Sequence, residues 1–198
     1  RHTFHAPAES VIQRAWIVFQ CLEYEAIIWL NGAEVGRHAN AHRPARLDVT
    51  GKLRSGENLV VVQLTTGLHG VSEKPAAAYG VSDIGLLTKR HWMRRPQYQT
   101  GWDWNARLSN VGILGDVRLE WCAGARLDQV TVFAVPSADL GKAAIAVRAS
   151  VDGCKEGGSP GTLRVRIAET GQEATVAVPV KPGEQRAELS VTIDRPKL

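Results

Sequence analysis

Turn-forming residues punctuate this chain at short intervals, and no window of a dozen residues keeps an apolar period near 3.6. Between the turns lie runs of strand length rich in Val, Ile, Leu and Thr. A chain built this way has no amphipathic helices to layer, so an all-β fold is expected. The first clear hairpin is AIIWLNGAEVG. Ala26 to Leu30 rise as one strand, Asn31-Gly32 supply the two positive-φ positions of a tight turn, and Ala33 to Val35 descend. RLDVTGKLRSGENLVVVQL then predicts one helical turn capped by Asp48 or Thr50, followed by a buried strand from Leu59 to Leu64.

Residues Thr65 to Thr100 hold Gly, Pro and small side chains with little alternation, and read as a long loop of the kind that often carries function. Strand character returns from Val111 to Trp121. From about Ala125 five strand candidates follow at regular spacing: LDQVTVFAVP, KAAIAVRASV, GTLRVRIAET, QEATVAVPV and QRAELSVTI. That spacing is the signature of an immunoglobulin-type sandwich without the Cys and Trp pattern of antibody domains. Leu163, Val165 and Ile167 alternate with Arg164 and Arg166, which puts one face inward and one in water.

The 198 residues allow one or two compact domains. No apolar run approaches a membrane span, and RHTFHAPAES has no basic start leading into an apolar stretch of roughly 7–15 residues, so neither a membrane partner nor a secretory signal is expected. The compartment stays unassigned, with cytoplasm favoured over periplasm. The chain begins without Met and stops just after a strand, and neither end resembles a natural domain terminus. Cys21, Cys122 and Cys154 are far apart and lack zinc-site spacing, and are expected to be buried thiols. A net charge of +4 with interleaved signs gives no basic stripe, which argues against a nucleic-acid partner.

Nucleophile-elbow, phosphate-loop, dinucleotide and HExxH motifs are absent. His38 and His42 are four apart in GRHANAHRP, but they follow a strand and precede Pro44, so a hydrogen-bonded loop pair is expected rather than a metal site. The cluster KRHWMRRPQ is expected to pair with local acids or lie on a solvated face rather than grip an anion. QYQTGWDWNARLSN sets Asp103 between Trp102 and Trp104. A sugar offers a C–H face and a rim of hydroxyls, so flat aromatics beside a charged acceptor suit it. Core indoles with Asp103 tying down a turn would give the same pattern, and the residues alone leave both readings open.

WLNGAEVG, RLDVTGKLRSGENLVVVQL and RRPQYQTGWDWNARLSNVGILGDVRLE, in this order, resemble the N-terminal sugar-binding domain of glycoside hydrolase family 2, the last segment looking most like its β-mannosidase branch. The resemblance covers residues 1 to about 120, and the strands beyond resemble the family's following immunoglobulin-like domain. It implies a jelly-roll sandwich over 1–122, truncated at its N-terminus, and an immunoglobulin-like sandwich over 123–198, truncated at its C-terminus. It implies a longer parent enzyme with a (β/α)₈ barrel of about 250 residues carrying two glutamates roughly 5–5.5 Å apart for a retaining reaction. The family's acid/base Glu follows an Asn, and no Asn-Glu pair occurs here, so no catalytic residue, cofactor or metal is assigned to this chain and it is expected to be inactive by itself. Trp102, Asp103, Trp104 and Arg107 are implied as substrate-binding residues that reach the barrel mouth, with a β-linked glycoside, a mannoside first, as ligand. Exo-β-glucosaminidase, β-galactosidase and a free-standing carbohydrate-binding module are the alternatives. Leu114, Gly115 and Asn105 depart from the family pattern.

Overall fold

The structure is a computed structural model and describes residues 1–76, 85–100, 108–154 and 160–196. The chain divides into two compact units, Arg1–Trp121 and Cys122–Leu198. Nearly every regular element in both is a strand, as the turn-punctuated sequence predicts.

Unit 1 opens with β1 (His2–Ala6), a short helix α1 (Ala8–Ile12) and β2 (Arg14–Glu23), and continues through β3 (Glu25–Leu30), β4 (Ala33–Ala39), β5 (Ala45–Asp48), β6 (Gly56–Thr65) and β7 (Gly112–Cys122). The strands form two sheets, ordered β1-β6-β3-β4 and β5-β2-β7. Ile17, Phe19, Ala45 and Leu47 of one sheet meet Ala26, Ile28, Leu30 and Val60 of the other in a buried core. Residues 2–23, to which periodicity assigns no element, form β1, α1 and β2. The run AWIVF in β2 is buried on both faces, and a strand of that kind shows no alternation.

The Asn31-Gly32 turn closes β3 and β4 as predicted, with φ of 52° and 89°. Its Asn31 also explains the GEN segment that opens β6. Asn58 is buried, and its side chain accepts from Asn31 Nδ2 at 2.9 Å and from the Arg54 N–H at 2.9 Å, and donates to the Arg54 and Gly56 carbonyls. One amide therefore organises the whole connection from β5 to β6. The predicted helical turn before it is a plain turn. Asp48 Oδ1 does accept the Thr50 N–H at 2.9 Å, but Thr50 Oγ1 is engaged by the Ala15 N–H of β2, which holds the backbone in the sheet layer.

The expected loop after β6 contains three 3-10 segments, His69–Val71, Gly85–Trp92 and Gln97–Thr100. Their local i→i+3 bonds, such as Met93 N–H to Arg90 O at 2.9 Å, need no apolar period and so leave no periodic trace. At Gly115 in β7, φ is +72° and a Cβ would collide with the Gln20 side chain, whose Oε1 accepts the Asp116 N–H at 3.1 Å. The departure from the family pattern there has a backbone cause.

Unit 2 contains β8 (Ala125–Pro136), β9 (Lys142–Gly153), β10 (Gly161–Arg166), β11 (Glu173–Val178) and β12 (Gly183–Asp194), which are the five expected strands. They make a three-stranded sheet, β12-β9-β8, and a two-stranded sheet, β10-β11. Val151 and Ala187 of the first pack with Val178, Leu163 and Val176 of the second. The three cysteines form no disulfide and are half-buried rather than buried. Burial, with a smaller contribution from Glu23, pushes the Cys21 thiol above its ordinary value of 9.0, so it stays protonated at neutral pH.

Candidate functional site

Trp102, Asp103, Trp104 and Arg107 lie outside the described residues, as does Asn105. Both flanks of their segment are described, and a single buried side chain ties them together. Arg95 is 1% exposed, and its Nη2 lies 2.9 Å from Glu23 Oε2 at the end of β2. Gln99 Oε1 accepts from Arg95 Nε at 3.0 Å and Nη2 at 2.6 Å, while Gln99 Nε2 donates to Glu23 Oε1 at 3.1 Å. Arg95 Nη2 also donates to the Asn110 carbonyl at 3.0 Å, and Nη1 to the Thr66 carbonyl at 3.3 Å. Gln99 precedes residues 101–107 and Asn110 follows them. One guanidinium thus fixes the entry and exit of that segment to the end of β2 and the end of β6.

A guanidinium suits this place because five N–H donors in a rigid fork can serve several acceptors at once. A buried charge needs such pairing, since an unpaired one is strongly destabilising. The platform beneath is aromatic. Tyr24 lies under the guanidinium at 5.7 Å, its hydroxyl accepts the Arg94 N–H at 3.0 Å, and its ring packs with Met93 and Val71. Gly67, at φ +74°, lets the chain pass against that ring, where a Cβ would clash. Gln97 Nε2 donates to the Arg95 carbonyl at 3.1 Å, and the Ala41 N–H donates to the Arg94 carbonyl at 2.9 Å, so the segment from Arg94 to Gln99 is docked along its length.

The KRHWMRRPQ cluster therefore divides. Arg95 pairs with an acid, as one branch of the expectation has it, but Glu23 is distant in sequence and the pair is buried, while Lys89 Nζ donates to the Ser72 carbonyl. Trp92, 45% exposed, donates from Nε1 to the Pro75 carbonyl at 2.9 Å. Tyr98 before the segment and Leu108 and Val111 after it are exposed apolar side chains. His38 stands in β4 rather than after it, and its Nε2 contacts the Asn40 and Arg43 carbonyls of the following loop at 2.7 and 3.1 Å; no cluster of three metal-ligating side chains occurs among the described residues. Sequence reasoning missed the clamp. Its one visible signal was Glu23, an acid closing an otherwise apolar strand.

A two-sheet sandwich whose connecting loop is anchored at both ends is an architecture for presenting loop side chains, and comparison supplies its family. Residues 1–115 match the family described as glycosyl hydrolase 2 galactose-binding domain-like, and the chain belongs to that family. Beta-mannosidase B of Thermothelomyces thermophilus is 30% identical over 205 residues, a match that covers 100% of this chain and 23% of that protein. The crystal structure of a beta-D-mannosidase from Dictyoglomus thermophilum superposes with a TM-score of 0.83 at 24% identity, over 100% of this chain and 24% of that one. The exo-chitosanase CsxA of Amycolatopsis orientalis, solved with PNP-beta-D-glucosamine, gives 0.63 at 21% identity, over 98% of this chain and 21% of that one. These two structures share the fold. The chain spans about a quarter of the length of the relatives it matches.

Proposed function

We propose that this chain works as the non-catalytic β-sandwich portion of a longer retaining exo-glycosidase of β-mannosidase type, and that its Trp102–Asp103–Trp104 segment, with Arg107, contributes to the subsite of the terminal sugar. The observation that carries the reading is the similarity to a beta-mannosidase along the whole chain, this segment included. The Arg95 clamp supports it, because tying down both flanks of a loop reduces the chain entropy left to lose on binding. Asp103 accepts hydrogen bonds from sugar hydroxyls remote from the reacting carbon, and the indoles cover the apolar ring face. Energy from such contacts appears as orientation and ring distortion, so it raises turnover as well as affinity. The attacking and proton-transferring carboxylates belong to a barrel that the loop contacts, and the 198-residue chain hydrolyses nothing by itself. Unit 2 corresponds to the immunoglobulin-like domain that follows the sugar-binding sandwich in the chain.

A second reading keeps the architecture and changes the sugar to β-glucosamine, on the ground that the exo-chitosanase superposes over nearly the whole chain. A panel of aryl β-glycosides assayed with the full-length enzyme separates the two. Turnover of the β-mannoside at least about tenfold above the β-glucosaminide and β-galactoside is expected, that ratio corresponding to about 1.4 kcal/mol of transition-state discrimination. Preference for the glucosaminide selects the second reading, and hydrolysis of none of the three by an enzyme that remains folded overturns both.

A further inference from the structure

The two flanks of the segment that carries Asp103 meet on one atom. Arg95 Nη2 donates to Gln99 Oε1 at 2.6 Å and to the Asn110 carbonyl at 3.0 Å. Entry and exit are thereby drawn to a single point, and the same guanidinium refers that point to Glu23 at the end of β2 and to the Thr66 carbonyl just past β6. Of the side chains in this cluster, Gln99 alone belongs to the flank that leads into the segment.

The Gln99 amide has one stable orientation. Its Oε1 accepts from Arg95 Nε and Nη2, and its Nε2 donates to Glu23 Oε1 at 3.1 Å. Turning the amide over would set its N–H groups against a guanidinium and its oxygen against a carboxylate, both of which repel it. Glu23 and Arg95 are buried, so these bonds act in a low dielectric, where each direction is enforced more strongly than in water.

Stability is a poor account of such a cluster. Well-packed apolar side chains in place of a buried ion pair are often neutral or stabilising, whereas only directional bonds fix the height and angle at which a chain leaves its scaffold. A displacement of about 1 Å at a reacting sugar can cost on the order of a hundredfold in rate, even when its source lies away from the chemistry. We propose that Gln99, held between Arg95 and Glu23, is a positioning residue that sets where Asp103 meets the sugar. The proposal rests on the subsite role given to the Trp102–Asp103–Trp104 segment and adds the buried group through which that role is enforced.

The test is a double-mutant cycle in the full-length enzyme, read as steady-state kinetics on an aryl β-mannoside. Gln99→Met keeps the length of the side chain and removes both polar atoms, and Gln99→Ala repeats the measurement without the added thioether. Each should lower kcat/KM at least about tenfold in an enzyme with the far-UV circular dichroism of the parent, the fall in kcat exceeding the rise in KM. In an Asp103→Ala background the same substitutions should cost less than about threefold, because a carboxylate already removed cannot be misplaced. A merely structural Gln99 would give the same fold-loss with and without Asp103. Equal losses in the two backgrounds overturn the proposal, and so do wild-type kinetics in folded Gln99→Met and Gln99→Ala enzymes. Either result leaves the subsite role of Asp103 standing so long as Asp103→Ala alone is slow. Wild-type kinetics for Asp103→Ala alone would remove the subsite role and the positioning role together.

Discussion

Phe19 in β2 and Val132 in β8 both stand on the inward face of a sheet, yet Phe19 is 1% exposed and Val132 59%. The difference runs through the two units. In unit 1 each sheet is faced by another of comparable width, and the polar groups that enter the core, Arg95, Glu23 and Asn58, come with partners. In unit 2 a three-stranded sheet is faced by a two-stranded one, and Val130 and Val132 of β8 remain exposed. Burial of apolar area is the main favourable term in folding, so unit 1 should be the more stable unit and unit 2 the first to open. All six tryptophans lie in unit 1, which makes their fluorescence a reporter of that unit alone. In urea, the fluorescence midpoint is expected above the midpoint of the first far-UV circular dichroism change. Coincident midpoints would show that the units unfold together.

The sharpest way to break the contrast is to remove the clamp. Arg95→Ala leaves Glu23 buried without its charge partner, and such truncations cost about 3–5 kcal/mol, seen as a fall in the fluorescence midpoint. Adding Glu23→Gln should restore part of the loss in a double-mutant cycle, and no recovery would mean that packing rather than charge dominates. Next in size is Ile28→Ala, at about 2–5 kcal/mol from a fully buried core position, seen as a fall in the fluorescence midpoint. Asn58→Leu follows at about 1–3 kcal/mol, since it leaves the Arg54 N–H and carbonyl unpaired. Val132→Ala in unit 2 should stay within about 0.5 kcal/mol of the parent, because the side chain is already largely in water.

The smallest effect is on pH dependence. Burial raises the Glu120 carboxyl, but hydrogen bonds from Arg46 and Arg118 outweigh it and hold the group below its ordinary value of 4.5. Asp48 is likewise raised by burial and held below 3.8 by Thr50 and Arg14. A carboxylate depressed in the folded state contributes stability in full above its ordinary value and loses it as pH falls through the lower folded value. Unit 1 should therefore lose stability from about pH 4.5 downward, and Glu120→Gln should flatten the upper part of that decline in fluorescence-detected urea titrations. An unchanged profile would remove Glu120 from the acid response.

What the sequence displayed and what it concealed follow from the range of the interactions. The Asn31-Gly32 turn and the five strands of unit 2 depend on neighbours in sequence, through positive φ and a period of two, and both are legible. β2 is buried on both faces and shows no alternation to read, and the 3-10 segments need only local bonds between residues of any character. The clamp joins Arg95 to Glu23, Gln99, Thr66 and Asn110, positions that meet only once both ends of the sandwich are formed. Within KRHWMRRPQ the three arginines look equivalent, and tertiary structure alone distinguishes Arg95. The Trp102–Asp103–Trp104 pattern suits a sugar and core indoles equally well when read as residues, and with Arg107 it lies outside the described residues.

The most direct test of the role proposed for this segment is Asp103→Ala in the full-length enzyme, read as kcat/KM on an aryl β-mannoside beside the melting temperature. Hydrogen bonds to a charged partner carry about 1.5–3 kcal/mol, so kcat/KM should fall about 10- to 150-fold. The melting temperature should stay close to that of the parent. Wild-type kinetics in a folded Asp103→Ala enzyme would contradict the assignment, and a lowered melting temperature beside those kinetics would make Asp103 a turn residue instead.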